Sequence, residues 1–287
     1  MSESKPLVSI VIVTYQHVNY IAQCLDSILI QKTNFDFEII VGEDESKDGT
    51  REICKRYADL YPNKIKLYLR SKKNNDDATG RTNFIECLKV VQGKYVALCD
   101  GDDFWTDPLK LQKQVDFLEN NNAYAGCFHF TQQINETGES GMVHGRHGSR
   151  TIFTAVDTFS TTTLCHTSSF IYRTDASSIP SWFTIIIGAD MAIFSMVASK
   201  GKLRCIPEIM STYRKHSGGL TSSALATFQN YHENRIELMN FLNEYHHYKC
   251  DKKAQKIIKF HQNNLEGKRV DSLYVSMKNR VKKIIKK

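Results

Sequence analysis

No two of the eight cysteines form a CxxC pair; residues 24, 54, 87, 99, 127, 165, 205 and 250 are scattered, several inside apolar runs. That argues against a zinc site or a disulfide framework and predicts reduced, buried thiols in a cytosolic protein. No stretch approaches the ~20 apolar residues of a membrane span, and the opening MSESKPL has no apolar signal core. A cytoplasmic chain is therefore expected. No internal repeat is apparent, which sets aside solenoid and propeller arrays. The body also lacks strong basicity. Net charge is +7, but residues 249–287 hold 13 Lys and Arg against three acids, so the other 248 residues sum to −3. The basic segment has few aromatics to stack on bases, so no nucleic acid partner is expected.

What is present suits a globular chain: 287 residues, 41% hydrophobic and 24% charged. One large domain with an appendage fits this length better than two equal halves. Leu7 to Val13 is a nearly unbroken β-branched run and predicts a first buried strand. Ile21, Cys24, Leu25 and Ile28 then recur at helical spacing. Phe37 to Val41 predicts a second strand; Ile53, Tyr57 and Leu60 a helix; Ile65, Leu67 and Leu69 a third strand; Phe84, Leu88 and Val91 another helix. This alternation predicts a doubly wound, mostly parallel α/β sheet with helices on both faces. Further on, Thr106-Asp107-Pro108 signals a helix start, with Leu111, Val115 and Leu118 on its buried face. Residues 131–150, polar and rich in Gly and His, predict a mobile loop. Leu164 to Arg173 predicts a returning strand, Met191 to Lys200 a helix, and Leu203 to Ile206 a short strand ended by Pro207.

The chemistry concentrates in Lys94 to Trp105, KYVALCDGDDFW. Tyr95 to Cys99 reads as a strand buried on both faces, and it breaks into Asp100-Gly101-Asp102-Asp103. Such a strand delivers its carboxylates to the carboxyl edge of the sheet, where open α/β sheets place ligands. Carboxylates held together repel by about 1 kcal/mol per pair in water, and a hard divalent cation relieves that strain. A solvated acidic turn is the bland alternative. Thr14 and Tyr15 end the first strand, where a backbone edge and a ring can hold a base. Asp44 follows the second strand and can accept from a base N–H, or form an Asx turn with Ser46. Arg81 stands before a helix, either reaching a diphosphate or simply exposed.

Three ordered motifs carry a resemblance: Val8 to Tyr15, then Glu43-Asp44-Glu45-Ser46-x-Asp48-Gly49-Thr50, then Asp100-Gly101-Asp102-Asp103. Over residues 6 to 220 the chain resembles family 2 glycosyltransferases, inverting enzymes with the GT-A fold. The resemblance implies a nucleotide-diphosphate sugar along Thr14, Tyr15, Asp44, Arg81, Asp100 and Gly101. It implies Mn²⁺ or Mg²⁺ at Asp102 and Asp103, the DxD positions, with Asp100 in support. Glu43 stands where many relatives have Asp. Asp190, at the start of a helix, matches the family's general base, although Ala189 replaces a frequent second acid. Tyr213 to Ser217 resembles a closing motif whose His216 lies near metal and phosphates, with Arg214 beside it. Leu164 to Arg173, with His166 and Ser169, matches an acceptor-side segment.

The C-terminal run from Val270 to Ile285 alternates apolar and basic residues at 3–4 spacing. That is the pattern of a basic amphipathic helix, lying either on an anionic membrane or on its own domain or a partner. The expectation is a GT-A catalytic domain over residues 1–220 and a helical region over 221–287. Its activity would be transfer of a sugar, UDP-linked, to a hydroxyl of a glycan or lipid-linked acceptor in surface polysaccharide assembly. Two alternatives stay open at this point: a sugar nucleotidyltransferase, disfavoured by the lack of glycine after the first strand, and a non-catalytic nucleotide-sugar-binding protein.

Overall fold

The structure is a computed structural model that describes residues 5–71, 80–176, 179–219 and 228–266. The expected amphipathic segment 270–287 lies outside the described residues. The first half alternates β1 (Val8–Thr14), α1 (Ile21–Leu29), β2 (Phe37–Glu43), α2 (Thr50–Leu60), β3 (Ile65–Leu69), α3 (Arg81–Lys89) and β4 (Tyr95–Asp100). These four strands run parallel in the order β3-β2-β1-β4. Because side chains alternate across a strand, Ile10 and Ile12 face α1 and α2 while Val11 faces the opposite core with Cys87 of α3. Two hydrophobic cores therefore sandwich the sheet, which is why its strands read as continuous apolar runs. All eight cysteines are buried and free, as their apolar settings predict.

The second half adds β5 (Phe104–Trp105), α4 (Lys110–Glu119), β6 (Tyr124–Asn135), β7 (Ser140–His144), β8 (Ile152–Phe153), α5 (Ala155–Thr158), β9 (Ile171–Arg173), α6 (Ala189–Ala198), β10 (Lys202–Lys215), α7 (Phe228–Tyr245) and α8 (Asp251–Leu265). The sheet continues past β4 as β9-β6-β10-β5, with β9 antiparallel to both its neighbours and β10 parallel to β6. Helices α6, α7 and α8 pack their apolar faces into the same core as α3. No helix among the described residues is long and apolar enough to cross a membrane.

Four expectations are corrected here. Residues 131–150 do not form a loop throughout: β6 runs to Asn135 and pairs with β7 as a hairpin. Asn135 Oδ1 ties that turn by accepting from Thr137 N and Glu139 N at 3.0 and 2.8 Å. The strand expected from Leu164 shrinks to Ile171–Arg173, because Thr167–Ser169 winds a single 3₁₀ turn. The short strand at Leu203 instead extends to Lys215; Pro207 sits where the register shifts between Ile206 and Ile209, a bulge that needs no N–H from it. Finally, α4 opens at Lys110 rather than Pro108, with Asp107 Oδ1 accepting the Leu109 N–H at 2.8 Å.

Candidate active site

Parallel strands deliver their carboxyl ends to one edge, so the turns after β1, β2 and β4 meet there. The turns after β1 and β2 are laced together by side chains. Gln16 N donates to Ser46 Oγ at 3.0 Å, His17 N to Thr50 Oγ1 at 2.8 Å, and Val18 N to Asp48 Oδ2 at 3.0 Å. Glu43 is fully buried and accepts from Ser46 N and from Arg51, so the residue that departs from the family habit braces this turn. Asp44 is buried, with Arg70 Nη1 at 3.4 Å from its Oδ1. The Asp44 N–H donates to the Thr14 carbonyl at 3.1 Å, and Tyr15, which follows Thr14, is half-exposed. Arg81 opens α3, which precedes the parallel strand β4 and therefore begins at the same edge.

The acidic turn splits its carboxylates between two directions. Asp102 Oδ2 lies 2.9 Å from His216 Nε2 and 3.6 Å from His17 Nε2. These three ligand atoms all fall within 4.8 Å of one another. Burial would raise the Asp102 carboxyl, but the hydrogen bond from His216 and the charge of His17 hold it below its usual range. Asp103 turns inward. Its Oδ1 accepts the Arg214 N–H at 3.0 Å, and its Oδ2 faces His166 Nδ1 at 3.4 Å. Asp103 is thus not among the three converging ligands. Asp100 ends β4, and burial, then the charges of Asp102 and Asp190, push it up to about 7. Gly101 admits no side chain, since a Cβ there would stand 2.6 Å from Thr14 Oγ1.

Arg214 ties the closing motif to the turn: its guanidinium donates to the Asp102 carbonyl at 2.6 Å and lies 4.4 Å over the Phe104 ring. Asp190 sits in the first turn of α6 and is close enough to Asp100 for their charges to interact. His166 stacks on Tyr213, ring centroids 4.3 Å apart, and burial drives its imidazole down to about 3. Ser169 is fully buried and its hydroxyl donates to the His166 carbonyl at 2.7 Å. The expected acceptor-side role of Ser169 therefore becomes one of shaping the turn that carries His166.

His17 was absent from the residues expected at the site. The available signal was topological: it follows β1, and β1 lies directly beside β4, so the turns after the two strands must touch.

The open, mostly parallel sheet, with the acidic turn and two histidines at its carboxyl edge, has the architecture of the GT-A fold. The profile of glycosyl transferase family 2 matches residues 9–179. An uncharacterized protein of Mycobacterium tuberculosis, Rv1520, is 34% identical over 229 residues, 79% of this chain. The chain spans 64% of the length of that relative. The putative teichuronic acid biosynthesis glycosyltransferase TuaG of Bacillus subtilis is 34% identical over 131 residues, 46% of this chain and 48% of its own. Among solved structures, S. aureus TarS 1–349 in complex with UDP-GlcNAc superposes with a TM-score of 0.65 at 19% identity, covering 89% of this chain and 71% of TarS. The chain belongs to glycosyl transferase family 2.

Proposed function

We propose that the chain is an inverting glycosyltransferase moving a sugar from a UDP-linked donor to a hydroxyl of a glycan or lipid-linked acceptor, in surface polysaccharide assembly. The observation that carries this reading is the convergence of Asp102, His17 and His216 at the acidic turn after β4, with Asp190 in the first turn of α6. The donor is suggested by the UDP-GlcNAc bound to TarS, and the polysaccharide by the name of TuaG.

In this reading Thr14, Tyr15 and Asp44 receive the base, while Arg81 and Arg214 face the diphosphate. The donor set fits a divalent cation: one carboxylate oxygen and two imidazole nitrogens suit Mn²⁺, and the carboxylate with substrate phosphates suits Mg²⁺. Asp102 and His216 would hold it, with His17 alongside, and Asp103 would orient the turn through Arg214. When bound, such an ion supplies Lewis-acid neutralisation of the leaving diphosphate. Asp190 takes the proton of the acceptor hydroxyl as the new bond forms at the anomeric carbon, opposite the leaving group. His166, on its Tyr213 platform, borders the acceptor. Residues 1–220 form the catalytic domain in this scheme, and the basic segment 270–287 contacts an anionic membrane surface.

A thermal-shift screen of UDP, GDP and their sugars, with and without Mn²⁺, tests the reading. Binding at 100-fold over Kd adds about 2.7 kcal/mol, which is about 5 °C or more for a chain of this size. The expected result is a rise with UDP and its sugars that requires Mn²⁺. Absence of any rise with nucleotides overturns the proposal.

A further inference from the structure

The residue before α6, Gly188, has φ +90°, and no side chain of this segment caps the helix. The chain therefore enters α6 through a sharp left-handed step, two residues before Asp190. What holds that step comes from α7. Asn234 Oδ1 accepts the Ile187 N–H at 2.6 Å. Arg235, the next residue, places its guanidinium against Met191 Sδ, and its Nη1 stands 3.2 Å from where a Cβ on Gly188 would be. Asp190 Oδ1 lies 3.6 Å from that same point.

Helix α7 is well placed to act as a fixed reference. Leu238, Met239 and Leu242 are fully buried in one core with Phe194 and Val197 of α6. At the far end His246 Nε2 meets the buried Ser195 Oγ at 2.9 Å. The two helices are thus joined along their length, and Asn234 is the polar contact at the end nearest the carboxylate. Ile187 is partly exposed, so water can replace the lost acceptor at little cost in stability. The bond's main effect is on direction: it fixes where the first turn of α6 points.

We propose that Asn234 is a positioning residue that aims Asp190 by anchoring the Ile187–Gly188 step, so helix α7 completes the active site. The inference rests on Asp190 being the general base. A displacement of about 1 Å at a reacting group can cost about 100-fold in rate. Losing the anchor should therefore lower turnover without touching the donor's binding surface.

The test uses the full chain with Asn234→Leu, which removes the acceptor oxygen, and Asn234→Asp, which keeps one. Amide exchange at Ile187 should quicken about 10-fold or more in Asn234→Leu and stay near wild type in Asn234→Asp, with Phe194 to Val197 unchanged in both. Hydrolysis of UDP-N-acetylglucosamine with Mn²⁺, in which water takes the sugar, Asp190 takes the water's proton and UDP leaves, should fall about 10- to 100-fold in kcat in Asn234→Leu, at constant KM, and recover in Asn234→Asp. In the Asp190→Asn background the Asn234→Leu loss should vanish, because the two residues act as a unit. Unchanged exchange at Ile187 overturns the inference, as does an equal loss of turnover in both backgrounds. Should Asp190→Asn keep full turnover, the base assignment falls instead, and the exchange measurement alone still decides whether Asn234 holds the step.

Discussion

The sheet changes character at β4. On one side β3, β2, β1 and β4 pair in parallel without a register shift, and β1 and β2 are buried along almost their whole length. On the other side β9 has three residues, β10 shifts register against β6 three times, and short antiparallel pieces fill the margins. The regular half makes a straight edge from neighbouring strand ends. The irregular half gathers side chains from distant positions: β10 stacks Tyr213 on His166, ties Arg214 to the acidic turn and leads directly into His216. In the proposed scheme the first construction receives the nucleotide base, and the second brings the diphosphate, metal and acceptor residues to it.

The largest expected effect would separate the two halves directly. Asp190→Asn keeps size and hydrogen bonding but cannot take a proton, so turnover should drop ~10²–10⁴-fold. Donor affinity, measured by calorimetry with Mn²⁺, should hardly change. A weakened donor would blur the division, and normal turnover would move the base elsewhere.

Asp44→Ala should show the converse. Hydrogen bonds to a charged partner contribute about 1.5–3 kcal/mol, so donor Kd should rise about 10- to 100-fold. At saturating donor, kcat should stay near wild type. A fall in kcat at unchanged Kd would break the assignment of Asp44 to the base.

The smallest effect concerns stability. Lys110 of α4 is fully buried, with its Nζ 3.8 Å from the Trp105 ring centroid and no hydrogen-bond partner among the described residues. Burial pushes its ammonium from 10.5 down to about 7. Between about pH 7 and 10 the unfolded chain therefore binds more protons than the folded one, so stability should rise with pH across that window. Lys110→Met should remove this slope and add about 1 kcal/mol at pH 7, the relief from burying a polar group exceeding the lost cation–π contact. Urea midpoints at pH 7 and pH 9 measure it, and an unchanged slope would assign the pH dependence to another group.

The regular half was legible because strands buried on both faces leave an unbroken apolar trace, and the edge where they end is fixed by their parallel sense. Hence Thr14, Asp44 and the Asp100–Asp103 turn were readable as neighbours before any coordinates. His17 was not, because its place depends on the turn that Ser46, Asp48 and Thr50 hold. Nor was the inward turn of Asp103, which only the return of Arg214 on β10 produces. The hairpin of β6 and β7 hid behind glycines and histidines, and β10 hid behind Pro207, whose missing donor falls at a bulge. In the irregular half, pairing is decided by partners far away in sequence, and local composition carries little of it.

The lacing of the turns after β1 and β2 has a consequence for how a guest arrives. Residues 14–18 and 44–50 surrender their conformational entropy during folding, so little would remain to be lost on docking of the proposed nucleotide. Association at this edge should then be governed by diffusion and charge steering rather than by loop closure. Affinity differences among nucleotides would appear in how long each one stays.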